Sequence, residues 1–155
     1  MKNKFFISII LLFFVSSCSI SNPLKKKVKV TYLDCPKSLV LFPASKITTN
    51  NSNIEFLNDY SLNCYKINNQ EIAEVSINYN IKLINFNEEI PEYQMKLLVF
   101  VTNKKEDLKL QEFTIVKDLK IEEKKQKSFN YNFNDKIQIK ISDYENGIKL
   151  FLGII

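Results

Sequence analysis

The sequence predicts an all-β fold, an antiparallel Ig-like β-sandwich of about seven strands, with a small β-barrel as the alternative. Three observations carry this. Phe, Tyr, Ile and Val abound, with 12 Phe and 7 Tyr in 155 residues, and these side chains fit a pleated, half-buried surface. Apolar residues recur at every second position through most of the chain. No segment carries a long, capped 3.6-residue period, and with only two glycines and four prolines the chain is neither collagen-like nor loop-dominated.

The elements follow in order. Val28, Val30 and Tyr32 alternate with Lys29, Thr31 and Leu33, marking where the fold begins. Leu39 to Phe42 reads as an apolar strand stopped by Pro43, and Thr48 to Asn53 as a polar loop. Ile54 to Lys66 is a strand bearing Cys64, and Asn68 to Glu71 a turn. The cleanest strand follows: Ala73, Val75, Ile77, Tyr79, Ile81 and Leu83 point one way, and Glu74, Ser76, Asn78, Asn80 and Lys82 the other. Asn87 to Glu92 is a loop, and Met95 to Val101, nearly all apolar, reads as a strand buried on both faces. After a charged hairpin turn at Asn103 to Asp107, Leu108 and Leu110 share one parity and Phe113 and Ile115 the other, so a bulge is expected near Gln111. Val116 to Lys127 is charged and has room for a helical turn, although Leu119 and Ile121 alternate as a strand would. Phe129, Tyr131 and Phe133 alternate, then Ile137, Ile139 and Ile141; a turn at Glu145-Asn146-Gly147 leads to a last strand, Ile148 to Ile155.

The N-terminus has a different logic. Lys2 and Lys4 precede an apolar run from Phe5 to Val15, interrupted only by Ser8. That run has the length of a signal-peptide core and is too short for a bilayer, which needs about 20 residues. Val15-Ser16-Ser17-Cys18 then resembles the lipobox of bacterial lipoproteins, in which small residues lie extended in a peptidase cleft and the thiol accepts a lipid. The resemblance implies cleavage before Cys18 and its lipidation, which would hold the chain on a membrane without a spanning helix. The expected organisation is a signal peptide at 1–17, a lipidated N-terminus and tether at 18–32, and the β-sandwich at 33–155. The non-acidic Ser19 favours the outer over the inner membrane by the sorting pattern of such lipoproteins, with the domain facing the periplasm.

Losing residues 1–17 removes two lysines and no acid, so the 22 basic and 17 acidic side chains become 20 and 17, a net +3. Much of the apparent basicity is therefore address. Lys25, Lys26, Lys27 and Lys29 form a basic cluster near the anchor, placed to meet anionic head groups or, in the alternative, to solvate the tether. No nucleic-acid motif accompanies these lysines. Cys35 and Cys64 remain, and in an exported domain two such cysteines are expected to form one structural disulfide.

Over nearly its whole mature length the chain resembles a family of uncharacterised lipoproteins of alpha-class proteobacteria. The features are Cys35-Pro36, the strand "LVLFPASKIT", the cysteine strand "YSLNCYKI", the alternating "EVSINYNIKL", the buried "KLLVFV" and the terminal "IKLFLGII". The Lys-, Asn- and Ile-rich composition departs from that family. The resemblance implies an exported, anchored, disulfide-bonded sandwich and no particular activity.

Catalytic chemistry is sparse. There is no histidine, so Ser-His-Asp and Cys-His arrangements are excluded, and the commonest metal ligand is missing. Gly147 and Gly153 are the only glycines, too few for a phosphate loop. Glu88-Glu89, Glu122-Glu123 and Asp59 supply carboxylates, read as solvated charge rather than a glycosidase pair. The Phe129-Tyr131-Phe133 stripe reads as a core face rather than a ligand site. The expectation is a non-enzymatic envelope lipoprotein without cofactor or metal, binding another envelope protein in a structural or assembly role. The alternative is a carrier or sensor of a small apolar ligand held between the sheets.

Overall fold

A computed structural model describes residues 29–50, 52–67, 70–121 and 126–155. Nine strands and one short helix occur among them: β1 (Val30–Tyr32), β2 (Lys37–Val40), β3 (Lys46–Thr48), β4 (Asn53–Ile67), β5 (Ile72–Ile84), β6 (Glu92–Asn103), β7 (Lys109–Lys120), β8 (Ser128–Lys140), α1 (Ile141–Glu145) and β9 (Ile148–Ile154). They form two sheets. Sheet A runs β1-β4-β5-β8, with β3 also on the free side of β4; sheet B runs β2-β9-β6-β7. Both sheets end in separate edges, so the architecture is the all-β sandwich, not the barrel.

β5 forms the spine of sheet A. Its Ala73, Val75, Ile77, Tyr79, Ile81 and Leu83 are all buried against the opposite sheet, and the intervening residues face outward, as their alternation predicts. The inner residues of β6 and β9, among them Met95, Leu97, Val99, Leu150 and Leu152, close the core from the other side. The bulge is where the parity slip places it. Val101 pairs with Gln111 and Thr102 with Lys109, leaving Leu110 as the extra residue. A second irregularity lies in β4 between Phe56 and Tyr60.

Several expectations need correction. The nine strands exceed the seven or so read from the sequence because β1, β2 and β3 are edge pieces of three or four residues. β2 pairs parallel with the C-terminal β9, so sheet B is mixed rather than purely antiparallel. β1 lies within the stretch assigned to the tether, whose last three residues are thus part of sheet A. The expected strand at Leu39 to Phe42 ends at Val40, and Phe42–Ala44 is a 3-10 turn. β6 is buried on its inner face only; Leu98 and Phe100 are half-buried on the outer one. Val116 to Lys120 continues β7 with no helical turn; residues 122–125 lie outside the described range. Ile141 does not prolong its strand but opens α1, which stops where Gly147 turns with φ 85°.

The open sides of the sandwich are closed by side-chain bridges. On one side Tyr60 of β4 donates its hydroxyl to the Ser38 carbonyl of β2 at 2.9 Å. On the other, Tyr131 of β8 donates to the Lys120 carbonyl of β7 at 2.7 Å. The Tyr144 hydroxyl of α1 reaches the Asp34 carbonyl at 2.6 Å, holding the segment before β2 against the helix. Among the described residues no helix is long and apolar enough to cross a membrane.

Candidate functional site: two outer sheet faces and an interior ion pair

Of the expected site residues, Cys18, Lys25, Lys26 and Lys27 lie outside the described residues, and Lys29 is exposed at the start of the fold. Cys35 and Cys64 form the expected disulfide, with Cα atoms 5.3 Å apart, tying the segment before β2 to β4. The thiol partners differ in setting: Cys64 is buried on the core side of β4 and Cys35 is exposed. Glu88 and Glu89 are exposed in a turn, Asp59 is exposed beside β5, and Glu122 and Glu123 lie outside the described residues. The Phe129-Tyr131-Phe133 stripe sits on the inner side of β8, where its rings contact one another, Phe86 and Tyr79 at centroid distances of 5.2–6.3 Å. It is a core face.

The outer face of sheet A is polar, with a central run of amides and hydroxyls and charged residues such as Glu74, Lys82 and Lys136 around it. Antiparallel register places Asn78 opposite Asn134, Asn80 opposite Asn132 and Lys82 opposite Asn130. On the β4 side Ser61 stands opposite Asn78, Asn63 opposite Ser76 and Tyr65 opposite Glu74. These side chains bond across the strands. The Asn134 amide donates to Ser76 Oγ at 3.1 Å and to Asn78 Oδ1, and the Asn78 amide to Ser61 Oγ at 3.4 Å. Asn80 donates to the Asp59 carboxylate at 3.0 Å. At one end Glu74 is neutralised by Lys136 at 2.8 Å and also accepts from Tyr65. Two shallow, open depressions, about 340 and 490 Å³, follow one another along this face with Asn134 lining both, an interrupted trough.

The outer face of sheet B is apolar along one line. Leu39, Phe151 and Phe100 stand in register across β2, β9 and β6, and the row ends at the charged Glu112 on β7. Leu39 is 57% exposed, and Phe42, just past β2, is 89% exposed. Lysines flank the line: Lys37 opposite Lys149, Lys109 above the Phe100 ring at 5.8 Å, and Lys96 opposite Val116. Lys109 and Lys149 are paired with Glu112 and Glu106, whereas no ion pair engages Lys37 or Lys96 among the described residues.

Between the sheets lies a cluster that sequence reading missed. Asp135, on the inner side of β8, accepts from the Tyr79 hydroxyl at 2.8 Å and from Lys117 of β7 at 2.6 Å. The Lys117 ammonium also sits 5.1 Å over the Phe133 ring. Burial, and then the bond and charge of Asp135, push the Tyr79 hydroxyl far above the usual tyrosine range. β7 and β8 each pair on one side only, so these inward charges sit on two long edge strands, a placement that discourages further strands from adding. With all three members paired to one another, the cluster has a structural role. The signal that would have revealed it is parity, since Lys117 and Asp135 fall on the inward register of otherwise apolar alternation.

No protein-family model, curated protein or solved structure matches this chain, so the family resemblance rests on the strand patterns and the two cysteines.

Proposed function

We propose that the chain is a lipid-anchored, non-enzymatic envelope protein that docks another envelope protein, in a structural or assembly role, through the outer face of sheet B. The observation that carries this is the apolar line of exposed Leu39 and half-buried Phe151 and Phe100, with exposed Phe42 beside it, bordered by lysines. An apolar centre within a charged rim is the anatomy of a protein interface. The rim chemistry specifies the partner: a protein with an apolar stripe bordered by carboxylates. The edges of the sandwich are poorer candidates, because Lys117 and Asp135 guard the two long ones. The apolar-carrier reading gains no support from the depressions described, which open on outer faces, while Val99, Leu150 and Ile77 are fully buried between the sheets.

The anchor belongs to the same proposal. Cys18 holds the chain at the envelope membrane, the outer more than the inner, with the domain facing the periplasm. Replacing Cys18 with Ala should leave a precursor that incorporates no labelled fatty acid; continued labelling would exclude this anchor. For the docking face, a photo-crosslinking residue at position 39 or 42 in native membranes should trap one reproducible protein. The adduct should weaken with added salt and vanish when Phe100 is changed to Glu. Equal adducts from position 132, on the opposite sheet, would refute the assignment.

A further inference from the structure

The trough on sheet A has a chemistry unlike that of sheet B. We infer that it binds a neutral glycan chain laid over β4, β5 and β8, its hydroxyls held by the side-chain amides and one sugar face resting at the Tyr32–Tyr65 end.

The amides themselves are the first argument. Asparagine is depleted in strands, yet Asn78, Asn80, Asn130, Asn132 and Asn134 all stand on one face of two adjacent strands. A face required only to be wetted is served by Thr or Lys, which suit strands better. Each primary amide offers two donor hydrogens and an acceptor oxygen, the complement of neighbouring sugar hydroxyls. The bonds from Asn134 to Ser76 and Asn78, and from Asn78 to Ser61, fix the amide planes in advance. Asn132 and Asn63 make no side-chain hydrogen bond among the described residues and line the trough, leaving their full capacity for a ligand.

Charge selects a neutral ligand. Glu74 and Lys136 cancel each other, which leaves Asp59, bonded to the neutral Asn80 amide, as a single isolated charge in the lining. An anionic or cationic chain would find no compensating row. The aromatic end completes the site: Tyr32 is 83% exposed and stands opposite Tyr65 in the ladder, offering a ring face to sugar C–H groups. The stretch of β5 from Glu74 to Asn80 spans about 20 Å. The trough is open along that length, a shape for a chain of several sugars rather than an enclosed small molecule.

The test uses the full-length chain extracted in mild detergent with its disulfide intact. It is titrated by calorimetry with chitotetraose, maltotetraose, tetragalacturonate and free glucose. At least one neutral tetrasaccharide should bind with a Kd tighter than about 1 mM, with glucose and the anionic tetramer at least about tenfold weaker. Asn132→Ala and Asn63→Ala should each weaken binding about tenfold while leaving the thermal midpoint unchanged. Tyr32→Ala should weaken it too, and Tyr32→Phe should retain it. Absence of binding by either neutral tetramer at about 10 mM would overturn the inference. So would affinity indifferent to Asn132→Ala, a preference for the anionic tetramer, or a protein ligand lost in the same variants. The outcome is separate from the docking proposal, which concerns the other sheet.

Discussion

Replacing Asp135 with Ala removes one acceptor from two donors that lie between the sheets. Tyr79 is 1% exposed, and its hydroxyl would lose the bond it makes at 2.8 Å. A buried hydroxyl without a partner costs about 1–3 kcal/mol. Lys117 would lose the carboxylate at 2.6 Å. Breaking a fully buried ion pair costs about 3–5 kcal/mol, but the two side chains here are 21% and 14% exposed, and the ammonium can extend toward water, so less than half of that applies. The two losses share one carboxylate and total about 3 kcal/mol. Urea unfolding measures this directly. With an m-value near 1.5 kcal/mol/M, the midpoint should fall by about 2 M. Asp135→Asn keeps an acceptor for Tyr79 and should cost about 1 kcal/mol.

The informative comparison is a triple variant, Lys117→Met, Asp135→Leu and Tyr79→Phe. It removes every polar member at once and should sit within about 1 kcal/mol of the parent, because an apolar replacement avoids desolvating the pair. Stability would be kept, but the inward charges on β7 and β8 would be gone. The triple variant should therefore self-associate in sedimentation runs at concentrations where the parent does not. An Asp135→Ala cost below about 1 kcal/mol would refute the energetic argument. A triple variant as monomeric as the parent would refute the edge-guarding one.

Three further outcomes are expected. A Cβ added at Gly153 would approach Ala44 Cβ to 2.6 Å, so Gly153→Ala should cost about 1–3 kcal/mol and Ala44→Gly should restore much of it; thermal unfolding of the single and double variants decides whether that contact is the cause. Replacing Cys35 and Cys64 with Ser opens a loop of sequence separation 29 and should lower stability by about 3–4 kcal/mol, read from urea midpoints. Burial, and then the charge of Asp34, raise the Tyr144 hydroxyl to about 12, and Tyr79 is raised as well, so both tyrosines keep their protons in the fold after the unfolded chain loses its own near pH 10. Their contribution is complete below pH about 10 and is lost above it, by up to about 1.4 kcal/mol per pH unit for each, until Tyr144 itself ionises near 12. Urea midpoints at pH 9, 10 and 11 should fall with a slope that Tyr144→Phe reduces by about half; an unchanged slope would refute the assignment.

What was legible in the sequence was whatever depends on neighbours along the chain. The alternation of β5, the bulge at Leu110 and the turn ending in Gly147 are local, and each is where its pattern puts it. What was hidden depends on partners remote in sequence. β2 is four residues long, too short for periodicity, and becomes a strand because β9 lies alongside it. Leu98 and Phe100 looked like the second buried face of β6; composition cannot separate an apolar residue in the core from one on an exposed surface. Ile141 continued the spacing of Ile137 and Ile139, but the chain must leave sheet A there to reach β9, and a single helical turn makes that passage. The polar face of β5 was readable as a face. Its neighbours across β8, 56 residues away at the Asn78–Asn134 pair, were not, and only that register turns scattered asparagines into a trough.

The two proposed surfaces are also constrained by where the chain enters the fold. Lys29 precedes β1, and β1 lies on sheet A with Val30 and Tyr32 lining the aromatic end of the trough. Eleven residues lie between Cys18 and Val30, so even a fully extended tether of twelve steps reaches no more than about 40 Å. If Cys18 is the anchor, the Tyr32 end of the trough is the part of the domain nearest the attachment point, and a glycan lying there would run close to the membrane surface. Sheet B, on the opposite side of the core, would face away from such a chain and remain open to a protein. Lengthening the segment after Cys18 with a flexible insert separates the two activities physically. Affinity for a soluble tetrasaccharide should be unchanged, whereas crosslinking from position 39 to a partner held at a fixed height should fall as the docking face moves out of reach. Equal crosslinking at every tether length would mean that the partner is not fixed in the envelope, and the assembly role would then have to be abandoned.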